Sequence, residues 1–132
     1  MFRRSFLTAA TALTVGFVTA QARAAVVEQP FTQAAFDSAK ASGKPILVAI
    51  HAPWCPVCAK QKPILGALEQ DPAFAALTVF AVDYDNQKDI VAALGANKQS
   101  TLIAFHGTAE RARSVGMTDA AEIKALVGKA LS

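Results

Sequence analysis

The chain has two cysteines, and both fall in Trp54-Cys55-Pro56-Val57-Cys58. An apolar run, Ile46-Leu47-Val48-Ala49-Ile50, precedes the pair and a helical pattern follows it, which sets it at a strand-to-helix junction. Cys-x-x-Cys at such a junction is a layout for reversible dithiol/disulfide chemistry. Two thiols three positions apart can close a small ring, and the partial positive charge of a helix N-terminus favours a thiolate at the first. Pro56 suits the first helical turn, where the backbone donor it lacks would be unpaired anyway. Val57 adds neither charge nor hydrogen-bond donor. Trp54 can shield one side of the sulfur, pack against the helix, or do both. His51 stands four residues before Cys55, where a protonated imidazole beside the sulfurs would favour a thiolate and a packed or solvated one would not.

A second use of the same thiols has to be weighed. Cys55 and Cys58, with or without His51, could hold a soft ion such as Cu(I). A closed zinc site does not fit, because only two Cys and two His exist and His106 falls in a distant hairpin turn. The leading expectation has no metal and no cofactor beyond the two sulfurs.

The first residues point to a compartment. Met1-Phe2-Arg3-Arg4 is basic, Phe6 to Ala20 carries no charge, and Ala20-Gln21-Ala22 and Ala22-Arg23-Ala24 are small-x-small sites. That order is an export signal cleaved near Ala24, leaving residues 25–132 as one domain in the periplasm. The uncharged stretch is short against the roughly 20 residues that span a bilayer. Arg3-Arg4-Ser5-Phe6-Leu7 also resembles the twin-arginine export consensus. The chain has 13 Lys and Arg against 10 Asp and Glu, net +3. Arg3, Arg4 and Arg23 belong to the leader, so the remainder is balanced at 13 − 3 = 10 against 10. No basic stripe is left for nucleic acid. The mature segment has no repeat or internal linker, and a monomer is expected.

The elements that must position the cysteines alternate. Thr32 is read as the cap of a helix to Ser42, stopped by Gly43-Lys44-Pro45. Ile46 to Ile50 reads as a strand buried on both faces. A helix from the cysteines to about Gln70 contains Pro63, where a kink is expected, and Asp71-Pro72 ends it. Leu77 to Val82 reads as a strand, Lys88 to Leu94 as a short helix closed by Gly95, and Thr101 to Phe105 with Arg111 to Val115 as a hairpin across His106-Gly107-Thr108-Ala109. Thr118 is read as the cap of a last helix carrying Ile123, Leu126, Val127 and Leu131. The order αβαβαββα predicts an α/β fold, a central mixed sheet flanked by helices on both faces.

Taken in register, these residues resemble the thioredoxin superfamily over nearly all of the mature chain. Pro45-Ile46-Leu47-Val48 before Ala52-Pro53-Trp54-Cys55, Pro63 five residues after Cys58, Leu77-Thr78-Val79, Asp83-Tyr84-Asp85, Gly95, Thr101-Leu102-Ile103-Ala104-Phe105 and Gly116 all fall in order. With Ser42-Gly43-Lys44-Pro45 and the leader, the chain is similar to exported bacterial thioredoxin-like domains. The resemblance implies a thioredoxin fold and a thiol-disulfide oxidoreductase. An exposed Cys55 would attack a disulfide, and a more buried Cys58 would resolve the mixed disulfide. Protein or small-molecule thiols and disulfides would be the substrates, and a membrane or periplasmic redox partner would recycle the pair. Strongly oxidising relatives carry a His between the cysteines; Pro56-Val57 implies a reducing or intermediate potential instead.

The chain departs from the family pattern in three ways. Ala49 and Ala81 stand where a buried Asp and its Lys partner are usual, and Asp83 is the nearest acid in sequence, read as a solvated strand end. Ser100, in Gln99-Ser100-Thr101, replaces the cis-proline that faces the disulfide. A trans bond is expected there, since a cis peptide without proline costs about 3 kcal/mol. The Ser100-Thr101 loop would still shape the substrate groove and set the Ser100 hydroxyl near Cys55. His51 replaces a common aromatic.

Overall fold

The structure, a computed structural model, describes residues 26–132 together with Gly16. The expected leader and its cleavage near Ala24 lie, apart from Gly16, outside the described residues. Five strands form one mixed sheet in the order β1-β3-β2-β4-β5: β1 Gln29–Pro30, β2 Pro45–His51, β3 Thr78–Asp83, β4 Thr101–His106 and β5 Ala109–Val115. β1, β3 and β2 run parallel, and β4 and β5 continue antiparallel. The helices are α1 Gln33–Ala41, α2 Pro56–Gln70, α3 Lys88–Ala93 and α4 Ala120–Gly128, with 3-10 turns at Pro72–Phe74 and Lys129–Leu131.

The unbroken apolar run of β2 is explained by helices on both sides of the sheet. Leu47 and Ala49 pack with Leu65 and Leu68 of α2 and Ile123, Leu126 and Val127 of α4. Ile46, Val48 and Ile50 face the other way, onto Phe36 and Ala39 of α1 and Val91 of α3. Phe36 makes edge-on contacts with Phe80 and Phe105, at centroid distances of 5.9 and 5.3 Å. Two cores thus hold β2 rigidly, and the cysteine motif leaves its C-terminal end.

Thr32 caps α1 as expected, its hydroxyl accepting the Ala35 N–H at 3.2 Å. α2 continues through Pro63, which leaves the Ala59 carbonyl without its usual helical donor. Asp71 ends α2 and caps the following 3-10 turn. Three readings are corrected. β1 is absent from the expected order: it is a two-residue edge strand containing Pro30, too short for any alternation. The hairpin is tighter, with β5 starting at Ala109, because Gly107 takes a positive φ of 57° and only Thr108 stands with it in the turn. A Cβ at Gly107 would come within 3.2 Å of the Gly43 Cα. The cap of α4 is Asp119, not Thr118: its carboxylate accepts the Glu122 N–H at 2.9 Å, in an Asp-x-x-Glu spacing.

Candidate active site

After β2 ends at His51, the Ala52 carbonyl accepts the Cys55 N–H at 3.2 Å and turns the chain into α2. Cys55 is the N-cap of that helix, in extended conformation at φ −85° and ψ 112°, and Pro56 is its first residue. The Cys55 Sγ accepts the Cys58 N–H at 3.1 Å. Cys55 and Cys58 form a disulfide with their Cα atoms 5.3 Å apart, inside the normal span for such a bond. An unpaired N–H of the first helical turn therefore points at one sulfur and not the other. Once the bond is opened, negative charge is favoured on Cys55 by that donor and by the helix dipole.

With a cysteine pair at this junction of this sheet, the comparison with known proteins becomes decisive. The family model described as Thioredoxin matches residues 27–129. The chain belongs to the thioredoxin family. Among solved structures, Trxlp from Edwardsiella tarda is 39% identical, with a TM-score of 0.74 over 76% of this chain and 98% of that one. Thioredoxin O2 from Arabidopsis thaliana, in its oxidised state, is 25% identical, with a TM-score of 0.63 over 79% and 92% of the two chains. The thioredoxin Mala s 13 of Malassezia sympodialis shares the fold at 20% identity, with a TM-score of 0.73 over 84% and 96%. No curated protein matches the chain. Thioredoxin fold and cysteine pair together make it a thiol-disulfide oxidoreductase.

The exposures of the two cysteines correct the reading made from sequence. Cys55 is only 3% exposed and Cys58 8%. The N-cap position folds the Cys55 side chain back over the first turn, and Ala52, Val57 and Tyr84 pack around the closed pair. Trp54 is the prominent side chain instead, 57% exposed. Its ring stands edge-on to Tyr84 at 6.2 Å, and its Nε1–H donates to Asp85 Oδ2 at 2.9 Å. Trp54 is thus fastened to the loop after β3 rather than free to sweep.

Ser100 is joined by trans peptide bonds, as expected, and sits in the left-handed region at φ 60°. Its N–H donates to the Ile50 carbonyl at 2.8 Å, and its own carbonyl accepts the Gly116 N–H at 3.1 Å. The loop therefore lies against the end of β2 that feeds the cysteines. The hydroxyl donates to the Gln99 carbonyl at 2.5 Å, a local bond that closes the turn. Thr101 is buried and donates to the Lys98 carbonyl at 2.6 Å, tying the same turn.

His51, at the end of β2, comes close to the segment before β1. Its Nε2 lies 3.8 Å from Glu28 Oε1, and among the described residues it makes no hydrogen bond to either sulfur. Ala49 and Ala81 are direct partners across β2 and β3, so the two small residues stand side by side. The usual Asp and Lys are thus replaced together, leaving no stranded charge. Asp83 does not substitute: it accepts from the Asn86 side chain at 2.8 Å and from the Asp85 and Asn86 N–H groups. The Asn86 amide, foremost, holds its carboxyl below the ordinary range. It caps a turn, as a strand-end acid should.

Sequence reasoning missed four residues here. Asp85 and Tyr84 secure Trp54 from about thirty positions away, and Glu28 meets His51 from β1's approach. Gln61 of α2 is 3% exposed and donates from Nε2 to the carbonyls of Met117, at 2.8 Å, and Ser100, at 3.3 Å. A polar residue in a helix otherwise buried on that face was the one available signal for it.

Proposed function

We propose that the protein is an exported, periplasmic oxidoreductase that works toward the reducing or intermediate end of the family's range. The Cys55 thiolate attacks one sulfur of a substrate disulfide, that bond breaks, and the first substrate thiolate leaves. The Cys58 thiolate then attacks the Cys55 sulfur of the mixed disulfide, expelling the second substrate thiolate. Two electrons pass to the substrate, and Cys55–Cys58 ends as the disulfide. A thiol-donating redox partner in the membrane or periplasm must return them. The observation that carries this assignment is the Cys58 N–H on Cys55 Sγ at the start of α2. It supports Cys55 as the sulfur poised to act as anion and leaving group. The charged start, uncharged stretch and small-x-small sites before residue 25 support export.

Cys58→Ser tests the order of events. Expressed with its leader, the variant should accumulate partners as reductant-sensitive mixed disulfides on Cys55, and fractionation should recover them from the periplasm. A Cys55 that stays unreactive toward disulfides overturns the mechanism, and recovery only from the cytoplasm overturns the export reading.

The poise rests on Val57. The dipeptide offers the Cys55 anion no side-chain donor, so the reduced form is stabilised chiefly by the helix start. Equilibration with glutathione buffers should give a potential between about −270 and about −180 mV. A value of about −120 mV, the strong-oxidant end, would overturn it.

A further inference from the structure

Among the described residues Gln61 is the one buried residue with a side-chain amide, and it sits one turn beyond Cys58 on the same helix. Both of its hydrogen bonds leave α2 and end on backbone carbonyls of two separate segments, Ser100 before β4 and Met117 after β5. One amide has two N–H donors, and here there are two acceptors for them. The segments it reaches are also joined to each other, through the Gly116 N–H on the Ser100 carbonyl. The Ser100 N–H is in turn held by Ile50, two residues before the Ala52 carbonyl that turns the chain into the cysteine motif. The Ser100 segment is therefore bracketed by the strand that enters the motif and the helix that leaves it. Lys98 and Gly116 are exposed, Gln99 and Met117 half-buried and Ser100 itself buried, so both segments reach the surface around a backbone that is pinned.

We propose that Gln61 is a positioning residue for protein substrates: it fixes the Ser100 and Met117 segments as a two-part rim beside the disulfide. The inference rests on the exchange reaction described above and adds which side chain holds those segments in place for a polypeptide substrate. Ser100 explains why such a fastening is required. A non-glycine residue at φ 60° is disfavoured, and no proline ring restricts this peptide. Without Gln61 the Ser100 carbonyl keeps only the Gly116 donor, the Met117 carbonyl loses the Gln61 one, and the segment is free to relax to an extended conformation. A small disulfide needs only the sulfurs and is indifferent to that change. A polypeptide that lies along the rim is not.

The test compares two substrates on the reduced full protein: insulin as the protein disulfide and an aromatic small-molecule disulfide as the other. Gln61→Met keeps the length of the side chain and removes both donors; Gln61→Asn keeps the amide but is one methylene too short to reach both carbonyls. In each variant the second-order rate with insulin should fall on the order of tenfold, the loss expected for about one hydrogen bond's worth of stabilisation, while the small disulfide changes by less than about twofold. The melting transition is followed alongside, and two variants of different shape guard against one that fails to fold. Equal losses on both substrates make Gln61 a residue of general stability and overturn the proposal, as does an unchanged insulin rate. A wild-type protein inactive on both substrates would instead defeat the oxidoreductase reading itself.

Discussion

At Ser100 a single residue departs from the family's proline and the chain answers with backbone hydrogen bonds. The ring that would restrict the peptide is gone, and in its place the N–H and carbonyl of Ser100 are both engaged, by Ile50 and by Gly116 with Gln61. The cost is the left-handed conformation. Glycine adopts φ 60° without a Cβ clash, so Ser100→Gly should keep those bonds and relieve the strain, partly offset by the wider freedom of glycine in the unfolded chain. A net gain of up to about 1 kcal/mol is expected from urea unfolding. A midpoint lower than wild type would show that the serine hydroxyl on Gln99 outweighs the strain. Trp54 shows the same dependence on distant groups. Its place in the motif was legible, but its exposure was not, and the Asp85 carboxylate that orients it lies 31 positions on.

At the scale of elements, the chemistry depends on where β2 stops and α2 starts. Five consecutive buried residues, Ile46 to Ile50, divide between the two cores and leave the strand no freedom to slip, so Cys55 is delivered to the N-cap of α2. The face of the sheet that α2 covers is shared with α4, whose start depends on Asp119. Asp119→Ala should cost about 1 kcal/mol of stability through the lost cap, whereas Thr118→Ala should stay within about 0.5 kcal/mol, as an ordinary surface change does. Thermal or denaturant melts of the two variants decide the matter, and the reverse order would return the cap to Thr118. The Asp-x-x-Glu pattern at Asp119 to Glu122 was present to be read, and an adjacent Thr obscured it. Arg113 shows an edge strand reaching beyond itself. From β5 its guanidinium donates to the Leu94 and Gly95 carbonyls, satisfying groups left over at the end of α3.

For the molecule as a whole, the carboxylates set opposing slopes with pH. The Ala73 N–H, foremost, and Lys124 hold the Asp71 carboxyl below its ordinary 3.8, and the Arg113 guanidinium, foremost, holds Glu110 below 4.5. Each lends stability that is present above those ordinary values and is lost as pH falls through the lowered folded ones. Glu69 behaves oppositely. Burial, first, and then the nearby Glu28 raise its pKa above 4.5. The folded form thus holds the Glu69 proton more tightly than the unfolded one. That contribution is complete below 4.5 and is lost as pH rises through the folded value. Glu69→Gln should therefore gain stability relative to wild type as pH rises across that window, with a difference that levels off above it. Unfolding curves measured from pH 4 to 7 test this, and a constant difference across the range would contradict it.

What the sequence alone determined was local or periodic: the cysteine pair, the proline in the first turn of its helix, the doubly buried β2, the helices on both faces, and the trans bond at Ser100. Each follows from residues within about one turn or one strand of each other, where spacing and backbone preference act directly. The tertiary structure decided the rest. The low exposure of Cys55, the turn of His51 toward Glu28, and the reach of Gln61 to Ser100 and Met117 depend on which groups the folded sheet brings together. Most of those partners lie far along the chain, and no spacing rule encodes them. Their hydrogen bonds exist only once two separate cores have fixed the strands and helices in place.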